Sequence, residues 1–190
     1  MKFTTLALAT LSSTSLLFSC ASTHEAKTSA PAGQAMEMPK PGPEHEMIAH
    51  SVGTWDATMT DYMSGGTVSK GVSTRKMTGG GFWLVEDYTG QMAGGVFSGH
   101  GVTGYDQAKK KYVGMWVDSM SSAMMTTEST YDAGTHKLTA EGMMPMGTEM
   151  VPITLVSQDV DDDTQVFTMS MAGEDGKPMV AIKIDYKRRK

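Results

Sequence analysis

The sequence predicts an all-β protein, a single closed antiparallel up-and-down barrel of about ten strands. About nine turn signals, rich in Gly, Asp and Ser, divide the chain after residue 52 into about ten segments of strand length. Several segments alternate apolar and polar residues, and none has a convincing helical period. Short strands joined by hairpin-length loops form a meander, and closing that meander removes its two exposed edges.

The N-terminal segment predicts export. Residues 1–19 carry one Lys after the initiating Met and then an apolar stretch too short to span a bilayer, as in a signal peptide. Leu17-Phe18-Ser19-Cys20 resembles a bacterial lipobox, which implies cleavage before Cys20 and its lipidation. Ala21 stands where the resemblance associates Asp with inner-membrane retention, so we expect a lipid anchor in the outer membrane. A plain secretory signal with an incidental cysteine is the alternative.

Residues 20–43 are predicted to form a flexible linker behind the lipidated cysteine. They are small, polar and Pro-rich, and they show no apolar period. Residues 44–190 then form the barrel domain. Because the chain has one Cys, an intramolecular disulfide is excluded and the barrel must be held by core burial.

The charge balance argues against a nucleic-acid partner. The formal net charge is −5, from 16 Lys and Arg against 21 Asp and Glu. Binding to nucleic acid needs clustered basic residues that displace counterions. The dense basic run from Lys187 to Lys190 lies at the C-terminus, where it is typical of a solvated end.

The last two strands supply the candidate ligand pocket. Val180, Ile182, Ile184 and Tyr186 alternate with more polar residues, and a similar apolar face precedes them in the chain. Asp175-Gly176, between these strands, is typical of a two-residue type I′ turn. We expect the following side chains to line a pocket inside the barrel: Phe167, Met169, Met171, Ile182 and Ile184.

Two segments are apolar on both faces. Trp83-Leu84-Val85 and Val113 to Val117 do not alternate. Such strands are covered on the outside as well as the inside, or they form the contact of a homodimer.

Gly53-Thr54-Trp55 opens the first strand. The run resembles the G-x-W motif at the start of the barrel in lipocalins and fatty-acid-binding proteins, the calycin group. The resemblance implies that Trp55 plugs one end of the barrel. It also implies that a basic residue near the end of the last strand, Arg188 or Arg189, stacks over the ring through a cation–π contact.

A second resemblance covers residues 41–188. Gly81 to Glu86, Gly99 to Asp106 and Trp116 to Ser121 are similar to segments of the bacterial family called domain of unknown function 1579. The resemblance implies a calycin-like barrel. It brings no established activity and no catalytic residues to carry over.

The sequence predicts no enzyme and no cofactor. It contains no G-x-S-x-G, H-E-x-x-H or C-x-x-C motif, and no Gly-rich segment joins a strand to a helix. His100, between two glycines on a strand, is a weak candidate for binding haem or metal, and is more simply a hydrogen-bonded or surface histidine. Glu86, Asp118 and Glu128 would each need a partner if they face inward.

Methionine is the most distinctive component, with 19 residues. Thioethers are soft ligands that suit Cu(I), so the methionine clusters are a candidate metal site. The alternative is that methionines fill gaps in the core and line an adaptable apolar pocket. The candidate copper ligands are Met143, Met144, Met146 and Met150.

Three functions remain open from the sequence. The first is a lipid-anchored barrel that binds a small apolar or amphipathic ligand, and we favour it. The second is an envelope protein that captures Cu(I) through methionine. The third is a structural envelope protein with no ligand.

Overall fold

The computed structural model describes residues 38–92, 94–173 and 175–190. The predicted signal peptide (1–19), Cys20 and the predicted linker as far as residue 37 lie outside these ranges. A short helix, α1 (Pro43–Ala49), precedes ten strands. The strands are β1 (Gly53–Asp61), β2 (Thr67–Thr78), β3 (Trp83–Met92), β4 (Gly95–Asp106), β5 (Lys111–Asp118), β6 (Met125–Asp132), β7 (Lys137–Met146), β8 (Glu149–Asp161), β9 (Thr164–Ala172) and β10 (Pro178–Arg188). A single 3₁₀ turn, Gly79–Gly81, lies between β2 and β3.

The ten strands form a closed antiparallel barrel, which confirms the predicted fold. Each strand pairs with its neighbours in sequence, and β1 also pairs with β10. In that closing pair Trp55 stands opposite Arg188 and Met59 opposite Ile184. Because the first and last strands hydrogen-bond to each other, the barrel has no free sheet edge to protect.

Strand alternation divides the barrel wall into an inner and an outer face. In β1, Trp55, Ala57 and Met59 are 0%, 2% and 5% exposed, whereas Asp56 between the first two is exposed. Successive side chains of a strand point to opposite faces, so these buried residues define the inner face. Residues that stand directly opposite each other in paired strands share a face, so the pairing register identifies the inner face of each of the other strands.

The last hairpin differs from its prediction. Gly176 takes a positive φ of 75°, but the connection runs over residues 173–177 and is closed by the Gly173 N–H, which donates to Lys177 O at 2.8 Å. The two-residue turn is therefore wrong. Pro178, which lacks an N–H, is the first residue of β10, a position where a strand tolerates proline.

The inner face of β10 also differs from its prediction at one residue. The β9–β10 register shifts between Val180 and Ile182. This bulge buries Ala181 completely and leaves Val180 38% exposed, so Val180 does not share the face of Ile182 and Ile184. An extra residue in a strand turns the following side chains to the other face.

The barrel has two different ends. We call the end where β1 begins the closed end, because α1 packs there against β3 and β4. The Tyr112 hydroxyl donates to Glu44 O at 3.2 Å, and His45 is 2% exposed. We call the opposite end, where β1 finishes, the mouth. In the described part of the chain, no helix has the length and apolar character needed to cross a membrane.

Candidate functional site

Trp55 lies at the closed end with a cation over its ring. The Arg188 guanidinium carbon lies 4.1 Å from the ring centroid, and Trp55 is 0% exposed. The indole N–H donates to Ser51 O at 2.9 Å. A cation over a shielded indole contributes about 2 kcal/mol.

Arg188 also forms hydrogen bonds to the chain segments around Trp55. Its guanidinium donates to the backbone oxygens of His50, at 2.9 Å, and of Val52, while its Nε donates to Asp162 O at 3.0 Å. Gly53 has a φ of 136°, and a Cβ there would lie 2.9 Å from Arg188 Nη1. Glycine at this position therefore satisfies both the backbone and the approach of Arg188.

A second guanidinium lies inside the barrel. Arg75 is 8% exposed, and its Nη2 donates to Glu86 Oε1 at 3.1 Å. Its Nε donates to Ser73 Oγ at 3.0 Å, and its Nη1 donates to Gln165 Oε1. Ser73 in turn donates to Glu86 Oε1 at 2.6 Å. A buried charge is expensive unless it is paired and hydrogen-bonded, and Arg75 is both.

Burial and the charge of Glu86 shift the pKa values of Arg75 and of the neighbouring Tyr186. Burial by itself would lower the pKa of Arg75, but the adjacent Glu86 carboxylate raises it overall, so the guanidinium stays charged. Its carbon lies 4.6 Å from the Tyr186 ring centroid. Burial, followed by the charge of Glu86, raises the pKa of Tyr186 well above its ordinary value. We call Arg75, Glu86, Ser73 and Gln165 the polar network.

Two aromatic side chains of the inner wall lie close to a glycine of the neighbouring strand. A Cβ on Gly99 would lie 2.1 Å from Trp116 Cζ2, and one on Gly71 would lie 2.4 Å from the Tyr88 hydroxyl oxygen. The Trp116 N–H donates to Asp118 Oδ2 at 3.0 Å, which holds its ring in place. Glycine at both positions leaves room for these rings beside the wall.

The predicted pocket residues lie together inside the barrel. Met169 and Ile184 are 7% and 9% exposed, while Phe167, Met171 and Ile182 are half-buried. Phe167 and Ile182 pack against both apolar clusters of the core, one centred on β1 and β10 and one on β7 to β9. Further half-buried side chains on these clusters are Met92, Phe97, Trp116, Met125 and Met144.

The mouth is surrounded by exposed apolar side chains. Most of the large apolar residues that the structure shows as exposed lie in its loops or at the strand ends beside them. Met120 and Val96 are 67% and 68% exposed. We call this set the apolar rim: Tyr62, Met63, Val68, Val96, Met120, Met124, Met146, Met150, Met179 and Val180.

The four candidate copper ligands do not share a face. They lie in β7 and β8, where Met144 stands opposite Val151 and Met150 opposite Pro145. Strand alternation places Met144 and Met146 on the inner face, and Met143 and Met150 on the outer face, where they are 45% and 54% exposed. The register therefore separates the sulfurs into two pairs instead of gathering them in one exposed loop.

His100 lies on the outer face. Its Nδ1 is 2.7 Å from Asp87 Oδ1, and the two residues are directly opposite each other in β4 and β3. Within the described residues, no group of three or more His, Cys, Asp or Glu side chains could hold a metal ion. His100 is thus placed as a surface histidine with a carboxylate partner.

The three strand carboxylates that the sequence singled out differ in position. Glu86 faces inward and pairs with Arg75, and Asp118 accepts a hydrogen bond from the Trp116 indole. Glu128 is outside and pairs with Lys109 at 2.6 Å. Sequence reasoning missed Arg75 itself, because the alternating residues Ser69, Gly71, Ser73 and Arg75 of β2 are small or polar and do not mark an inner face. Two grooves lie on the outer wall of the described part, and the larger has Glu128 and Lys111 in its lining.

The outward apolar residues are partly covered by their own chain. Trp83 is 41% exposed, and a Cβ on Gly104 would lie 2.4 Å from Trp83 Cε3, so the ring rests on the neighbouring strand. Val117 is 36% exposed. A homodimer through these strands remains a prediction.

Comparison with known families identifies the relatives of this barrel. The family described as "Protein of unknown function (DUF1579)" matches residues 40–188. The chain belongs to this family. The match confirms the resemblance found in the motifs of β3, β4 and β5. A search of the curated proteins finds no match.

Two solved structures have a similar barrel. Rv2717c from M. tuberculosis has a TM-score of 0.55 and 11% sequence identity, covering 78% of this chain and 99% of that chain. The S-type phycobiliprotein lyase CPES from Guillardia theta has a TM-score of 0.50 and 12% identity, covering 79% of this chain and 99% of that chain. At identities this low, the likeness shows a shared barrel fold alone, and neither the family nor the fold assigns an activity.

Proposed function

We propose that this DUF1579 protein binds a small apolar or amphipathic ligand in the lumen of its barrel, without catalysis. One observation carries the proposal: the inner surface near the mouth is apolar and partly accessible. Phe97, Trp116, Phe167 and Ile182 are half-buried although they face inward. Ligand pockets are typically concave and apolar, with a few polar groups that fix orientation. Methionine suits such a lining because its flexible thioether adapts to ligands of different shape.

We also propose that the barrel is exported and anchored to the outer membrane through lipidated Cys20. Support comes from the apolar segment before Cys20 and from the small, polar linker after it. Replacement of Cys20 with Ala should move the protein from the membrane fraction to the soluble fraction of the cell envelope. A Cys20→Ala protein that stays in the outer membrane would contradict the anchor.

Binding can be tested with the neutral apolar fluorophore N-phenyl-1-naphthylamine, whose emission increases in an apolar site. We expect saturable binding to the purified protein. Met144→Gln should weaken binding about threefold to tenfold, because it places an amide on the inner wall. Met143→Gln is the matched control, since the adjacent side chain is on the outer face and 45% exposed.

Two outcomes would contradict the proposed binding. One is an absence of saturable fluorescence, together with no ligand in native mass spectra of the purified protein. The other is equal weakening by both methionine variants, which would place the fluorophore on the outer surface of the mouth and not in the lumen.

A further inference from the structure

Among the residues that the structure describes, two buried side-chain hydroxyl groups inside the barrel have no hydrogen-bond partner. They are the Tyr88 hydroxyl and Ser69 Oγ, on the neighbouring strands β3 and β2. Tyr88 is 4% exposed. A buried hydroxyl without a partner costs free energy, and such groups in native proteins need an explanation. These two lie in the lumen that we propose as the binding site, so a ligand can supply the missing partner.

Both hydroxyls belong to the inner wall. Ser69 stands opposite the buried Met59, and Gly71, which the Tyr88 hydroxyl approaches, stands opposite the buried Ala57. Since Ser69 and Gly71 are two residues apart on one strand, they point to the same face. The surroundings are apolar: the Phe97 ring centroid lies 5.8 Å from that of Tyr88. The site therefore offers hydrogen bonds beside apolar side chains of the lumen, whereas the groups of the polar network are bonded to one another.

The charge around Tyr88 selects the kind of head group. Burial and then the nearby Glu86 carboxylate raise the pKa of Tyr88, so its hydroxyl remains a donor at neutral pH. Of the Lys and Arg residues that the structure describes, Arg75 alone is buried, and its guanidinium is already hydrogen-bonded to Glu86, Ser73 and Gln165. A carboxylate in this lumen would meet a negative charge and no uncommitted buried cation.

We infer that the lumen selects a neutral long-chain ligand with one oxygen acceptor, such as a long-chain alcohol or ester, over the fatty acid anion. The Tyr88 hydroxyl donates to the ligand oxygen, and Ser69 supplies a second polar contact beside it. The apolar chain of the ligand lies against Phe167 and Ile182, the residues shared by the two core clusters. The inference rests on the proposed function and specifies its ligand class.

A competition experiment on the purified protein tests the head group. The assay measures the concentrations at which 1-decanol and decanoate, two ligands of equal chain length, displace N-phenyl-1-naphthylamine from the protein at neutral pH. We expect 1-decanol to compete at a concentration about tenfold lower or less. Tyr88→Phe should weaken 1-decanol about fivefold to tenfold, the effect of one lost hydrogen bond, and leave decanoate and the fluorophore unchanged.

Three further variants complete the test. Ser69→Ala should weaken 1-decanol by a smaller factor in the same direction. Tyr62→Phe is the matched control, because Tyr62 is 49% exposed on the apolar rim. Without ligand, Tyr88→Phe should melt at the same temperature as the unchanged protein or higher, since it removes an unpaired buried hydroxyl. Gly71→Ala should displace the Tyr88 ring and reduce 1-decanol binding.

The possible failures are distinguishable. If the fluorophore binds but decanoate competes as well as 1-decanol, or if Tyr88→Phe leaves 1-decanol binding unchanged, the inference is overturned and lumen binding stands. If neither the fluorophore nor either competitor binds, lumen binding and the ligand class are both overturned.

Discussion

Replacing Glu86 with Gln should destabilise the barrel by about 2–3 kcal/mol. The substitution keeps the shape of the side chain and removes the charge that balances Arg75, which is 8% exposed. Breaking a fully buried ion pair from one side costs about 3–5 kcal/mol. The Glu86 side chain is 24% exposed, and water reaching the pair reduces this cost, so we take a value below that range.

Urea unfolding monitored by tryptophan fluorescence measures the change. For a domain of this size, 2–3 kcal/mol corresponds to a melting temperature lower by roughly 5–10 °C. Asp87→Asn is the matched control, because Asp87 is the next residue, lies on the outer face and pairs with His100 while 58% exposed. Loss of an exposed pair should cost less than about 1 kcal/mol.

A double variant separates charge balance from packing. Arg75→Met removes the buried cation, so combining it with Glu86→Gln should cost clearly less than the sum of the two single changes. If Glu86→Gln costs no more than Asp87→Asn, or if the double variant is additive, then Arg75 does not depend on Glu86. The polar network would then not stabilise the closed end in the way we describe.

Three further predictions concern the closed end. Arg188→Met should cost about 2 kcal/mol in urea unfolding through loss of its contact with Trp55, and a cost below about 0.5 kcal/mol would contradict that contact. Gly53→Ala should cost about 1–3 kcal/mol in the same assay, because its φ of 136° strains any other residue, and an unchanged midpoint would refute this strain. Burial raises the pKa of Tyr112 from 10.0 to about 12, so the folded state binds its proton more tightly than the unfolded state does. The stability from this group is present below pH 10 and is lost as the pH rises towards about 12, a loss that Tyr112→Phe should reduce in alkaline unfolding.

The strand pattern was sufficient to predict the barrel because turns and alternation are local properties of the sequence. Each hairpin is formed by residues close together in the chain, and closure follows from the cost of free edges. The last hairpin shows where this reasoning fails. The bulge at Ala181 depends on how β10 fits β9 and β1 together, and no local pattern around Asp175-Gly176 reports that fit.

The interior was harder to predict than the wall. Ser69, Gly71, Ser73 and Arg75 alternate in β2, but their residue types are typical of an outer face. Arg75 is buried only because Glu86 and Gln165, from two other strands, meet it across the lumen. Such a partnership depends on the pairing register round the barrel. The four candidate copper ligands are divided between two faces for a related reason, since closeness in sequence does not place strand residues on one face.

The residues that stabilise the barrel and the residues that are accessible from outside lie at opposite ends of it. At the closed end, Trp55, Arg188 and the polar network connect several segments of the chain through ring contacts and hydrogen bonds. At the mouth, methionines such as Met120 and Met124 are exposed, and their flexible side chains are less constrained by packing. A binding site needs a rigid wall and an adaptable opening, and this arrangement places them in different parts of one sheet. Substitutions on the apolar rim should therefore alter the rate of ligand exchange and change stability little. Substitutions in the polar network should lower stability and change ligand exchange little.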